Sequence, residues 1–273
     1  MMVNNTFVSK YGPWAIVTGA SSGIGESFAR QLSALGMHLV LIARRKDRLE
    51  SLAADLAEKD KVSIKIIELD LTREDFMETV LAETAGLDIG LLVNNAGMNC
   101  EGHFFRGDLA RNRQMMKLNM DAPFILAYHF AKLMLDRGKG GVIFTSSVSA
   151  FQASPFLSHY GATKAYLLSL SESMNYELKA KGIDVLALCP GPTESEMTKG
   201  VKNNPVMMKA DSVVKLAIEG LGKEVFVIPG LFNKTLIWVG KRILTRTGAR
   251  NLTGAMMKRF LPGVKPRPPK SSS

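Results

Sequence analysis

From Trp14 to Ile228 the chain alternates short apolar runs with stretches of helical period. The runs Trp14–Thr18, His38–Ile42, Ile64–Leu69, Leu91–Asn94, Val142–Thr145, Val185–Cys189 and Val225–Ile228 are rich in Val, Ile and Leu and show little polar alternation. Strands read this way when helices cover both faces of a parallel sheet. Between them, Ile24, Phe28, Gln31, Leu32 and Leu35 mark one face of an amphipathic segment, and Leu49, Leu52 and Leu56 mark another. This alternation predicts an α/β fold: a doubly wound, seven-stranded parallel sheet with helices on both faces. Seven strands and their helices use residues 1–230. Residues 231–264 read as a basic helical extension of the same domain, and the Pro/Lys/Ser end, 265–273, as a disordered tail.

Composition narrows the picture. A hydrophobic content of 46% with 22% charged residues suits one globular domain of 273 residues. No apolar run reaches the roughly 18 residues of a membrane-spanning helix. Met1 to Lys10 lacks a basic start followed by an apolar core, so no secretory signal is read. Cys100 and Cys189 stand far apart and form no CxxC pair. A reducing cytoplasm is the expectation, without a disulfide or metal framework. The net charge of +10 is uneven: the last acidic residue is Glu224, and ten lysines and arginines follow it. The first 224 residues are close to neutral.

The first apolar run leads into Thr18-Gly19-Ala20-Ser21-Ser22-Gly23-Ile24-Gly25 and then directly into a helical stretch. Glycines there permit a tight turn and let backbone N–H groups approach a pyrophosphate, with the helix N-terminus behind them. A glycine cluster alone is weak, but its place between strand and helix is that of a Rossmann dinucleotide site. Enzymes that prefer NAD place an acid at the tip of the second strand, roughly 20 residues after the glycines. Here the chain reads Ala43-Arg44-Arg45-Lys46. Arginine holds phosphate by a planar fork, so Arg44 and Arg45 point to the 2′-phosphate of NADP(H); a solvated basic loop is the plainer alternative.

These residues, followed by Asn94-Asn95-Ala96-Gly97, Ser147 and Tyr160-x-x-x-Lys164, resemble the short-chain dehydrogenase/reductase family over roughly residues 12 to 230. The resemblance implies cofactor contacts at Gly19, Ser21, Ser22, Gly23, Ile24, Gly25, Asn95, Ala96 and Gly97. It places adenine contacts at Asp70 and Leu71, and nicotinamide-side contacts at Pro190, Gly191 and Thr193. Ser195 stands where the family usually has threonine, and a hydroxyl is retained. Lys164 is implied to bond the nicotinamide ribose, and Asn119 to hold a water linking Lys164 to solvent. The opening Lys10-Tyr11-Gly12-Pro13-Trp14 is similar to the start of the steroid and long-chain 3-ketoacyl reductase branch.

Tyr160 and Lys164 are four apart in a helical stretch, so they share a face one turn apart. A free tyrosine has a pKa of about 10 and is a sluggish base at neutral pH. A nearby ammonium and an oxidised nicotinamide ring are expected to favour the phenolate. Tyr160 would then exchange a proton with the substrate oxygen, while Ser147 donates a hydrogen bond to it. A tyrosine on a helix is more often a packing residue; its company with Ser147, Lys164 and the glycine turn argues otherwise. His159 adjoins Tyr160 but points elsewhere on the helix, His103 and His129 lack metal-spaced partners, and Cys189 reads as a small core residue.

The resemblance places the substrate pocket at Met98, Phe151, Gln152 and Phe156, with Asn99, Pro155 and Glu194–Met208 nearby. This mainly apolar set suits a hydrophobic ketone or alcohol, with carbonyl reduction the expected direction. A homodimer or homotetramer would be built on Gly107–Arg137 and Tyr160–Lys181. The rival reading is an NADP(H)-binding regulatory protein without turnover, which the retained Tyr160 and Lys164 disfavour. Leu231–Phe260 alternates apolar clusters with Lys and Arg. It reads first as subunit packing or a pocket lid, then as a peripheral membrane contact, and last as a nucleic-acid contact, for which aromatic interleaving is missing.

Overall fold

The seven apolar runs form strands β1 (Trp14–Thr18), β2 (His38–Ala43), β3 (Ile64–Glu68), β4 (Ile89–Asn94), β5 (Gly140–Thr145), β6 (Ile183–Leu188) and β7 (Phe226–Val227). In this computed structural model, which describes residues 5–198 and 206–260, the strands pair in parallel in the order β3-β2-β1-β4-β5-β6-β7. The order reverses between β1 and β4. Their carboxyl ends therefore flank the crevice in which such sheets bind ligands.

Alternate residues of each strand serve the two faces. Ala15, Val17, Leu39, Leu41, Leu91 and Val93 pack with Phe28 and Leu32 of α2 (Gly23–Ala34), Leu49 of α3 (Lys46–Asp60) and Val213 of α8 (Ala210–Gly220). Ile16, Val40, Ile42 and Leu92 pack with Val80 of α4 (Phe76–Thr84), Leu126 and Phe130 of α6 (Ala122–Asp136) and Leu167 of α7 (Ser158–Leu178). Apolar residues at both parities are what a sheet buried on both faces requires.

Three differences from expectation have local causes. Strands β4 and β5 begin two residues early, at positions that include Gly90, Gly140 and Gly141. A side chain at Gly90 would stand 2.4 Å from the carbonyl oxygen of Tyr11, at the end of α1 (Asn5–Tyr11). Glycine weakens a strand by propensity, yet here it admits a crossing segment. The helix expected over Gly107–Arg137 is divided into α5 (Leu109–Met116), a π turn at Lys117–Asp121, and α6. Pro123 at the start of α6 supplies no N–H to the α ladder, and the wider turn stands there.

After the two-residue edge strand β7, the chain forms α9 (Leu231–Arg242) and α10 (Arg246–Phe260). Ile237 of α9 packs with Leu168, Cys189 and Ile228, so the extension rests on the end of the sheet. The expected tail, 265–273, and the middle of Glu194–Met208 lie outside the described residues.

Candidate active site

At the crevice, Thr18 ties the two central strands together. Its hydroxyl accepts from the backbone N–H of Asn95 (2.9 Å) and Ala96 (3.0 Å), and Asn95 Nδ2 donates to the Thr18 carbonyl (3.0 Å). The glycine turn starts here. Gly19 has φ +68°, and a Cβ on it would lie 2.9 Å from Cα of Ala96. A Cβ on Gly25 would reach 2.2 Å from the Gly19 carbonyl oxygen, so only glycine lets α2 begin this close to the turn. The hydroxyl of Ser22, at the cap position of α2, is turned to Arg45 instead of capping the helix. The N–H groups of a helix start and its dipole favour an anion.

The basic cluster is larger than its sequence signature. Arg45 donates to Ser21 Oγ (2.8 Å from Nη2) and Ser22 Oγ (2.9 Å) and pairs with Glu196. Arg48, one turn further along α3, pairs with the same carboxylate at 2.7 Å. Arg44 is mostly exposed, with Nη1 3.9 Å from Asp70 Oδ2. Asp70 accepts from the backbone N–H and the hydroxyl of Thr72, and Leu71 is buried beside it. Arg48 escapes motif reading; its only signal is the three-residue spacing from Arg45 at the start of a helix. Ser195 approaches the same turn, since a Cβ on Gly23 would lie 2.9 Å from Ser195 Cβ.

The proton-transfer candidates gather at the carboxyl end of β5. Ser147 is buried, and its Oγ accepts from Ser149 N (3.1 Å). Tyr160, in the first turns of α7, is within hydrogen-bonding reach of Ser147. Lys164 follows one turn later, buried, with Nζ donating to the Thr145 carbonyl (2.7 Å) and 5.7 Å from the Tyr160 ring centre. Asn119, fully buried in the π turn, accepts from Met98 N (3.0 Å) and donates to Met98 O (2.9 Å) and Thr163 Oγ1 (3.1 Å). Gly97 closes the group: a Cβ there would lie 3.2 Å from Asn119 Oδ1 and 3.5 Å from Lys164 Nζ.

The electrostatics correct one expectation. Burial raises the Tyr160 pKa and the hydrogen bond with Ser147 lowers it, leaving it above the ordinary value. Burial also lowers Lys164 to about 8. Lys164 directs its ammonium at Thr145, and the dry surroundings disfavour charge on both side chains. Tyr160 is thereby held protonated. Cys189 is pushed up to about 12 by burial, which suits an inert core thiol. His159 stacks on Phe104 with ring centres 5.5 Å apart.

Beyond β6, Pro190 O lies 3.5 Å from Ser147 Oγ, and Thr193 Oγ1 donates to Gly191 O (3.0 Å). Gly191 abuts α9, because a Cβ there would meet Asn233 Nδ2 at 2.5 Å. Asn233, which no motif marks, is buried and bonded to Pro229 O. Met98 adjoins Asn119, and Phe156 meets His103 edge-on with ring centres 5.1 Å apart. Phe151 packs on Phe226 (5.5 Å), and Gln152 Nε2 donates to Thr253 Oγ1 (2.5 Å) in α10. The C-terminal helices therefore hold the segment that separates Ser147 from Tyr160.

Comparison with known proteins agrees with this arrangement. Residues 13–205 match the short chain dehydrogenase family. A 7beta-hydroxysteroid dehydrogenase from Clostridium sardiniense is 32% identical over 235 residues, covering 84% of this chain and 89% of that protein. A very-long-chain 3-oxoacyl-CoA reductase from Bos taurus is 34% identical over 215 residues, covering 77% of this chain and 69% of that one. The structure of a short-chain dehydrogenase from Sphingobium yanoikuyae in complex with NADPH superposes with a TM-score of 0.75 at 32% identity, over 96% of this chain and 99% of that one. The chain belongs to the short-chain dehydrogenase family and is an oxidoreductase acting on CH–OH groups.

Proposed function

We propose that the protein uses NADP(H) to interconvert a bulky hydrophobic ketone and its secondary alcohol, with Tyr160 as the proton-transfer residue. The observation that carries this reading is the meeting of Ser147, Tyr160, Lys164 and Asn119 beside the glycine turn, at the switch point of the sheet. The residues suit a dinucleotide with a 2′-phosphate: a turn that only glycine allows, a helix start behind it, and Arg44, Arg45 and Arg48 with no acid at the tip of β2. When bound, NADP(H) supplies or accepts the hydride. Ser21–Gly25 would hold the pyrophosphate, Arg44 and Arg45 the 2′-phosphate, Asp70 and Leu71 the adenine, and Asn95–Gly97 with Pro190, Gly191, Thr193 and Ser195 the nicotinamide half.

Tyr160 donates a proton to the carbonyl oxygen in reduction and takes it back in oxidation. Its raised pKa keeps it protonated until a positive group arrives. Ser147 donates a second hydrogen bond to the same oxygen and steadies its developing charge. Lys164 and Asn119 bring polar groups to the floor of the site, which Gly97 leaves open. The relatives act, by their names, on hydroxysteroids and very-long-chain 3-oxoacyl-CoA. That supports a large apolar substrate here. Exposed Phe124, Tyr128 and Leu133 on α6 and Tyr176 on α7 support a homo-oligomer built on these helices.

Titration of protein fluorescence with NADPH and NADH tests the cofactor. Tight NADPH binding with weak NADH binding is expected, and equal binding removes the 2′-phosphate assignment. A screen of hydrophobic ketones with wild type and Tyr160→Phe tests the chemistry. Turnover in the wild type that survives in Tyr160→Phe would remove Tyr160 from the mechanism.

A further inference from the structure

The segment beyond Glu224 carries no carboxylate side chain, so its cations find no acidic side chain to pair with inside it. Among the described residues, the ion pairs lie between Lys10 and Glu219. Helix α9 shows what else this segment offers. Asn233 and Ile237 are buried and mark its inward side. At 3.6 residues per turn, Leu231, Thr235, Trp238 and Arg242 fall on one stripe of the opposite side, with Lys234 and Lys241 along one flank. Leu231 is 80% exposed, Trp238 58% and Phe232 52%, and Ile243 just beyond the helix is 63% exposed. Beside this stripe runs a groove of about 580 Å³ between α8, β7 and α9. Its floor includes Phe226, Val227 and Ile237; Lys223, Lys234 and Arg242 stand on its rim, with Glu219 and Glu224 on the α8 side.

We infer that the outer face of α9, with this groove, docks the protein on an anionic phospholipid surface. A helix with exposed Trp, Phe and Leu flanked by lysines has the chemistry of one lying in the headgroup layer. Its apolar side chains enter the acyl boundary and its cations meet lipid phosphates and carboxylates. Among the described residues, no helix is long and apolar enough to cross a membrane, so the contact is a surface one. A second copy of this chain fits worse. A two-fold contact brings the patch onto itself, and its cations Lys223, Lys234, Lys241 and Arg242 outnumber its carboxylates Glu219 and Glu224, so surplus positive charge would face positive charge.

The docked face also bears on the active site, a consequence that rests on the function proposed above. Lys241 Nζ sits 4.9 Å from the ring centre of Phe151, Lys258 Nζ 5.9 Å from that of Phe156, and Gln152 bonds Thr253. The helices that meet the lipid thus rest on the segment between Ser147 and Tyr160. Docking places the substrate entrance at the apolar phase in which a hydrophobic ketone or alcohol dissolves.

The test is sedimentation of the full chain with vesicles of phosphatidylcholine alone and with roughly 30 mol% phosphatidylserine, at low and high salt. Salt-reversible binding to the anionic vesicles alone is expected, with a blue shift of Trp238 emission in a Trp14→Phe background. Lys234→Glu with Arg242→Glu is expected to weaken binding by about tenfold or more. Trp238→Ser is expected to weaken it while leaving NADPH binding intact, which shows that the variant is folded. No binding at low salt, equal binding to neutral vesicles, or binding that survives both sets of changes overturns the proposal. So does a salt-reversible capture by DNA of equal strength that competes with the vesicles. No step of the assay involves turnover, so failure of the proposed reaction leaves this result readable.

Discussion

Up to Glu224 the cations and carboxylates of this chain balance in number, and many of them meet. Lys10 pairs with Asp184 (2.6 Å), Arg137 with Asp88 (2.7 Å) and Lys65 with Glu83 (2.8 Å). Beyond Glu224 the ten lysines and arginines equal the whole net charge of +10. The first region uses many of its charges in ion pairs of its own, whereas among the described residues the cations of the second form none: Lys241 and Lys258 lie over the rings of Phe151 and Phe156, and Arg250 bonds Asn251. The arginines of the cofactor crevice stand between these cases. Arg45 and Arg48 have an internal partner, Glu196, yet it is a single carboxylate shared by two guanidinium groups on a neighbouring loop. A phosphate offers the same forks more charge and more acceptor oxygens. An internal pair can thus hold a site in shape and still yield to a stronger anion.

The largest separation of the two regions is expected from Tyr160→Phe. Turnover should fall by about 10²–10⁴-fold, with NADPH binding and vesicle binding both retained. Steady-state rates set beside the two binding assays decide it, and a joint loss of all three would show that the regions are not independent. Next comes the pH dependence of stability. Lys164 titrates at about 8 in the fold and near its ordinary 10.5 when unfolded. Between these values the unfolded chain holds the proton and the folded chain does not, so stability rises with pH across that window. The gain should approach roughly 3 kcal/mol and vanish in Lys164→Met. Urea unfolding of the cofactor-free protein at the two ends of the window measures it, and the same slope in both proteins would refute the assignment.

The basic crevice gives a smaller effect. Arg45→Ala should weaken NADPH binding by about tenfold and NADH binding far less. Glu196→Gln should act oppositely, tightening NADPH by a few-fold, because the internal competitor loses its charge. If Glu196→Gln weakens NADPH instead, the carboxylate holds the loop in a shape that binding needs. The smallest effect is expected from Thr253→Val, which removes the bond from Gln152 across the junction of the regions. A loss of about 1 kcal/mol, read as a melting-point drop of about 2–4 °C, should leave NADPH affinity unchanged.

Much of this was legible from local patterns. Each β-strand run declared itself through its Val, Ile and Leu content, and the glycine turn through its place between strand and helix. Tyr160 and Lys164 declared themselves by a spacing that any helix converts into a shared face. Arg44 and Arg45 stood out because an expected acid was missing. Period and spacing act over one or two turns of chain, so a single sequence carries them. The starts of β4 and β5 did not show, because Gly90 and Gly141 weaken a strand locally and are required only by neighbours distant in the chain: Tyr11 at both, Arg137 at Gly90 and Leu221 at Gly141.

The sequence by itself determined the sheet, the order of its helices, the cofactor turn and the tyrosine–lysine pair, all set by periodicity and steric demands within short segments. Tertiary structure alone decided that Glu196 would pair with Arg45 and Arg48, that Asn233 would seat Gly191, and that Gln152 would bond Thr253. It also decided that Lys164 would point to Thr145 in a site dry enough to bring its pKa to about 8. These contacts join residues from about 20 to more than 100 positions apart, and their energies depend on which groups the fold buries together. No local pattern records that.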